Sequence, residues 1–185
     1  MHRPTLVIVS GPAGTGKTTL AHELARAIGC PAICRDEIKE GMVHTVGRFE
    51  AAVGDELTQR TFPLFFEILR TLANAGVTVV GEAAFQQKNW GPNLEPFADL
   101  AHIRVVRCHT DAATARGRVE DRGDRTAHAD APLLAALDAG DRYYVDFDHI
   151  SIDAPTLDVD TTSGYDPSLD EIVAFVQLTA SPSVD

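Results

Sequence analysis

The chain has 185 residues, 44% hydrophobic and 23% charged, proportions of a folded globular protein rather than a disordered one. Its 27 Asp and Glu against 16 Lys and Arg give a net charge of -11, so the averaged field repels polyanions and argues against nucleic acid or an anionic membrane as partner. Cys30, Cys34 and Cys108 lack CxxC spacing and indicate neither a disulfide framework nor a zinc site, and no apolar run approaches the roughly 20 residues needed to cross a bilayer.

These bounds lead to the expectation of one domain over residues 1–185 in a reducing, cytoplasmic setting, with a homo-oligomer left open. The first element is the β-branched run Thr5 to Val9, bounded by Pro4 and Gly11, which suits a strand buried on both faces of a parallel sheet. A helix follows from about Gly16 to Ile28, with Leu20, Leu24 and Ile28 on one stripe and Gly29 as its stop. Ala32 to Cys34 reads as a short strand.

Residues 36–75 are helical but punctuated by Gly41, Gly47, Gly54 and Pro63, and form the candidate substrate side of the fold. Val77 to Val80 and Ile103 to Cys108 are two further apolar strands, the first ending in a turn at Gly81-Glu82. Asp111 to Arg122 and Pro132 to Ala139 read as helices within a lid region at 111–140. Thr156 to Val159 reads as a last strand, and Leu169, Ile172, Val173 and Val176 mark a closing helix. Strands alternating with helices imply an α/β fold with a central parallel sheet flanked by helices in three layers.

The specific signal is Gly11-Pro12-Ala13-Gly14-Thr15-Gly16-Lys17-Thr18, a match to GxxxxGK(S/T) placed between the first strand and the first helix. In such a P-loop the backbone N–H groups wrap phosphate oxygens, the Lys reaches the terminal phosphates and the hydroxyl binds magnesium. The assigned phosphate-binding residues are therefore 11–18 and the adjacent Thr19. ATP and Mg²⁺ are the expected ligands, and no Asn-Lys-x-Asp guanine-reading motif is present.

The loop, together with Arg35-Asp36-Glu37-Ile38-Lys39, Gly81-Glu82, Arg118 to Arg125 and Asp158 to Thr162, resembles the small P-loop kinases. The likeness is to the nucleotide-kinase-like branch holding chloramphenicol phosphotransferase, polynucleotide kinase and the zeta-type toxins. It implies a P-loop NTPase fold with an arginine-bearing lid and ATP-dependent transfer of the γ-phosphate to a hydroxyl of a small molecule, such as an antibiotic, nucleoside or sugar derivative. Detoxifying chemistry in the manner of antibiotic resistance is part of that implication. A polynucleotide 5′-hydroxyl, a toxin substrate or a non-catalytic nucleotide-sensing role are the alternatives.

By the same resemblance Asp36 faces the acceptor hydroxyl, Lys17 serves catalysis, Arg118, Arg122 and Arg125 are the lid arginines, and Thr161 lies against adenine. Asp36 could equally cap the helix that follows it, and the arginines could form a solvated face paired with Glu120, Asp121 and Asp124. Glu82 stands where a Walker-B Asp is usual; it could hold magnesium through water, beside Thr18, or contact substrate. Phe49, Trp90, Tyr143 and Tyr144 are candidates for the acceptor pocket, although packing is the ordinary role of each. His109 and His128 show no metal-ligand spacing and are read as incidental.

Overall fold

The computed structural model describes residues 3–122, 127–140 and 142–178. The strands are β1 (Thr5–Ser10), β2 (Ala32–Cys34), β3 (Val79–Glu82), β4 (His102–His109) and β5 (Thr156–Asp160). They form one parallel sheet in the order β2-β3-β1-β4-β5. The helices are α1 (Lys17–Ile28), α2 (Arg35–Val46), α3 (Glu56–Asn74), α4 (Gln87–Leu94), α5 (Ala112–Asp121), α6 (Asp130–Asp138) and α7 (Leu169–Gln177), with a 3-10 turn at Glu95–Asp99.

Alternation along β1 divides the core into two halves, because successive side chains of a strand leave on opposite faces. Leu6 and Ile8 pack with Phe65, Leu69, Phe85 and Leu94 on the α3 and α4 side. Val7 and Val9 pack with Leu20, Leu24, Ile172 and Val176 on the α1 and α7 side. Both faces of β1 are fully buried, which is why its sequence runs apolar without a polar alternate. No helix among the described residues is long and apolar enough to cross a membrane.

Two boundaries correct the sequence expectation. The third strand is Val79–Glu82, not Val77 to Val80, and Gly81-Glu82 is strand rather than turn. Val77 is used to close α3: its N–H donates to Leu72 O at 2.9 Å and that of Gly76 to Ala73 O at 3.0 Å, a Schellman closure. The strand instead continues until Glu82 lies opposite Val9 and Cys34. At Gly81 a Cβ would stand 3.0 Å from Leu69 Cδ1, so a larger residue there would press on the α3 side chains packed over the sheet.

Helix α4 and the turn after it had no counterpart in the sequence pattern, since Gly91, Pro92 and Pro96 interrupt any helical period there. Trp90 belongs to this region and to the core, with its ring 4.6 Å from that of Phe62 and 4.7 Å from that of Phe85. It is therefore not an acceptor-pocket residue.

Candidate active site

The loop joining β1 to α1 is a compact anion cradle. Gly14 has φ +82°, and a Cβ there would stand 2.1 Å from Ala115 O, so only glycine lets α5 pack on the loop. Behind the cradle, Thr15 Oγ1 donates to Pro12 O at 2.9 Å and Thr161 Oγ1 donates to Thr15 O at 2.8 Å, both in buried surroundings. The first bond of α1 runs from Leu20 N to Gly16 O at 3.0 Å, leaving the N–H groups of Lys17, Thr18 and Thr19 without a helical acceptor. Together with the helix dipole these donors favour an anion at the loop.

Lys17 is buried, with its Nζ 3.7 Å from Glu82 Oε1, while Thr18 Oγ1 donates to Glu82 Oε2 at 3.1 Å. Register explains the triad, because the β1–β3 and β2–β3 pairings bring the end of β3 beneath the loop. Burial pushes the Glu82 carboxyl above the usual range, against the opposing effects of Lys17 and the Thr18 hydrogen bond. One hydroxyl and one carboxylate make an all-oxygen donor pair, which suits Mg²⁺ with its preference for hard ligands and retained waters. Thr18 and Glu82 are the residues that would hold it, and the ion would neutralise charge on the phosphate oxygens.

Two clefts flank this cradle. One, of about 420 Å³, is lined by Gly14, Gly16, Thr19, Arg118, Thr161, Gly164 and Tyr165. The other, of about 260 Å³, is lined by Ala13, Lys17, Arg35, Asp36, Lys39, His128 and Tyr143. Arg122 lines both, so it stands at their junction over the loop. Phe49 and Tyr144 line neither; Phe49 packs under the Lys39 ammonium, 5.3 Å from its ring centroid, and Tyr144 against Tyr143.

Asp36 sits in the first turn of α2, whose N-cap is Cys34, so the capping role considered for Asp36 is not the one it occupies. Burial acts to raise its pKa, but Lys17, His128 and Arg35 outweigh that and hold the carboxyl below its ordinary value. Arg35 Nη1 is 2.8 Å from Asp36 Oδ1, and His128 Nδ1 is 3.6 Å from Asp36 Oδ2. An ionised carboxylate with these partners can orient a hydroxyl that loses its proton late in transfer.

The arginines expected to form a lid divide. Arg118 donates to Thr161 O at 2.7 Å, Thr162 O at 3.1 Å and Gly14 O at 3.4 Å, which places it in the larger cleft rather than over the junction. Arg116 is paired with Glu120 and Asp138 on the outer face of α5 and lines neither cleft. Arg125 lies outside the described residues. Arg118→Ala is therefore expected to raise the KM for nucleotide, and Arg122→Ala to lower kcat by about 10³-fold or more. Steady-state kinetics with each substrate varied in turn checks the split.

One residue was missed, and one of the four aromatic pocket candidates, Tyr143, does line the smaller cleft. His128, read as incidental, is nearly buried between Asp36 and Glu40, with Nε2 2.7 Å from Glu40 Oε1. Tyr143 accepts a hydrogen bond from the Ala13 N–H at 3.0 Å, and burial raises its pKa, so its phenol keeps a proton to donate into the smaller cleft. Sequence held no signal for His128, which meets α2 through pairs far apart in the chain, 88 residues in the case of Glu40. His109 lies at an exposed strand end near Asp160 and lines neither cleft.

Fold and loop together define a P-loop protein of the kinase class. A family model described as an AAA domain (AAA_33) matches residues 6–145, and the chain belongs to that family. A shikimate kinase of Corynebacterium efficiens is 30% identical over 148 residues, which cover 77% of this chain and 76% of the relative. Among solved structures, a candidate kinase of Chloroflexus aurantiacus superposes with TM-score 0.77 at 22% identity, over 95% of this chain and 97% of the other. The Mycobacterium tuberculosis APS kinase, solved with AMPPNP and APS, superposes with TM-score 0.64 at 16% identity, over 96% of this chain and all of the other. At those identities the two structures speak for the fold alone.

Proposed function

We propose that the protein is an ATP-dependent phosphotransferase that moves the γ-phosphate to a hydroxyl of a small molecule. The observation that carries this reading is the pair of clefts on the two sides of the P-loop, with Arg122 lining both and Lys17 and Asp36 in the smaller one. The larger cleft takes the nucleotide, with Arg118 and Thr161 on its wall. The smaller takes the acceptor, with a volume of about 260 Å³ that suits a metabolite-sized alcohol rather than a folded polymer.

In this arrangement the loop amides and Lys17 bind the polyphosphate, and Thr18 and Glu82 hold the metal. Asp36, ionised and fixed by Arg35 and His128, accepts the hydrogen bond of the attacking hydroxyl and receives its proton late, as the acceptor oxygen bonds to the γ-phosphorus and the bond to the β–γ bridging oxygen breaks to release ADP. Tyr143 ties the Ala13 edge of the loop to the wall of the smaller cleft through the hydrogen bond it accepts from the Ala13 N–H. The mixed lining of Arg35, Lys39, His128 and Asp36 favours a polar acceptor, and the shikimate kinase relative supports a small alcohol.

Asp36→Asn preserves shape but removes the charge that receives the proton. Its expected result is a fall in kcat by about 10² to 10⁴-fold with little change in nucleotide affinity. An ATP-consumption screen over sugars, nucleosides, hydroxy acids, antibiotics and an oligonucleotide identifies the acceptor. Full turnover of that acceptor by the Asn variant would remove Asp36 from this role.

A further inference from the structure

Beside the proposed magnesium site, at the junction of α1, β2 and α2, lies a second cluster of different chemistry. His22 on α1, Cys34 at the end of β2 and Glu37 in the first turn of α2 each offer one ligand atom, all within 4.8 Å of one another. His22 Nε2 is 2.6 Å from Glu37 Oε1 and 3.6 Å from Cys34 Sγ. The cysteine is buried, whereas the side chains of His22 and Glu37 are 43% and 45% exposed, so the cluster is open to solvent on one side.

We infer that His22, Cys34 and Glu37 form a binding site for a borderline divalent metal of the Zn²⁺ class. Tetrahedral Zn²⁺, with Zn–S of about 2.3 Å and Zn–N of about 2.0 Å, sets its sulfur and nitrogen ligands about 3.5 Å apart. The Cys34–His22 separation already has that length. The His22–Glu37 hydrogen bond is the shorter edge and opens by about 0.7 Å as the ion replaces the shared proton, given Zn–O of about 2.1 Å. Three protein ligands leave a fourth position for water.

Ligand softness separates this site from its neighbour. Thiolate and imidazole select Zn²⁺ or Co²⁺ over Mg²⁺, whereas Thr18 and Glu82 present oxygen only. Spacing in the sequence gave no hint, because the three ligands are a strand and a helix apart and meet only when α1 packs over β2. Metal entry displaces to solvent the Cys34 thiol proton, which burial and the neighbouring Glu82 and Glu37 carboxylates otherwise hold in place, and ties α1 to the turn of α2 that carries Asp36.

The test titrates the full chain, under phosphine reductant and without nucleotide, with Co²⁺ and then Zn²⁺. One equivalent of Co²⁺ should give the near-ultraviolet thiolate-to-cobalt charge-transfer band, displaced by Zn²⁺ and untouched by millimolar Mg²⁺. Cys34→Ser should abolish the band, and Cys30→Ser and Cys108→Ser should keep it. His22→Gln and Glu37→Gln, at half-exposed side chains with no bearing on the core, should weaken binding by at least about tenfold, since removing a ligand costs at least what an outer-shell change does. Circular dichroism confirms that each variant is folded. No band in the wild type, a band that survives Cys34→Ser, or unchanged affinity in both Gln variants overturns the site. None of these readouts depends on phosphotransfer, so the two proposals fail separately.

Discussion

Replacement of Lys17 by Met is expected to reduce phosphoryl transfer by about 10³-fold, the scale of losing a preorganised charge at a developing oxyanion. Met keeps the apolar stem, so packing beneath the loop changes little. What disappears is the ammonium, which stands 3.7 Å from Glu82 Oε1 and lines the acceptor cleft beside Asp36. Because the loop amides and the α1 N-terminus still bind phosphate, nucleotide affinity should fall much less than kcat. Single-turnover kinetics and calorimetric ATP binding separate the two. Unchanged kcat would show that Lys17 serves the Glu82 carboxylate and not the reaction.

The second large effect concerns stability. Asp55 caps α3 by accepting from Thr58 N at 2.7 Å, and its other oxygen is 2.6 Å from Lys39 Nζ on α2. The side chains of the pair are only 8% and 4% exposed, so the bond is buried and joins the two helices on the acceptor side. Asp55→Ala is expected to cost about 3–5 kcal/mol, because it strands the Lys39 charge away from water. Loss of the cap contributes about 1 kcal/mol of that. For a chain of this size the thermal midpoint should drop by on the order of 10 °C.

Asp55→Asn retains a capping oxygen and should recover the smaller part only. Burial tends to raise the Asp55 pKa, but the Lys39 and Thr58 hydrogen bonds outweigh it and hold the carboxyl below its ordinary 3.8. A depressed folded value means the contribution is complete above pH 3.8 and is lost as pH falls through the folded value. Urea melts in that acid range should therefore show wild type losing stability that the Asn variant never had. Since Lys39 lines the acceptor cleft, weakening the α2–α3 pair should raise the KM for the acceptor more than that for nucleotide.

Much of the site was legible because its chemistry is local in sequence. Eight consecutive residues, 11–18, specify a loop whose backbone geometry is dictated by glycine and by the helix that follows. The alternation of β-branched runs with helical stretches was enough for a parallel sheet, because strands buried on both faces need no polar alternate. Asp36 was singled out by the resemblance to the small P-loop kinases, which implies an acceptor-facing Asp at the end of the second strand. Residues 83–101 stayed unassigned, since proline and glycine erase the period on which helix recognition rests.

The amino-acid order alone determined the phosphate cradle, the layered α/β class and the position of the first two strands, all of which depend on contacts between neighbours along the chain. Tertiary structure decided that Glu82 is a strand residue beneath Thr18, that Arg118 lines the larger cleft alone whereas Arg122 lines both, and that His128 and Tyr143 line the smaller one. It also brought His22, Cys34 and Glu37 together. Each of these rests on pairs far apart in the chain, whose meeting is set by strand register and helix packing, and no local pattern encodes either.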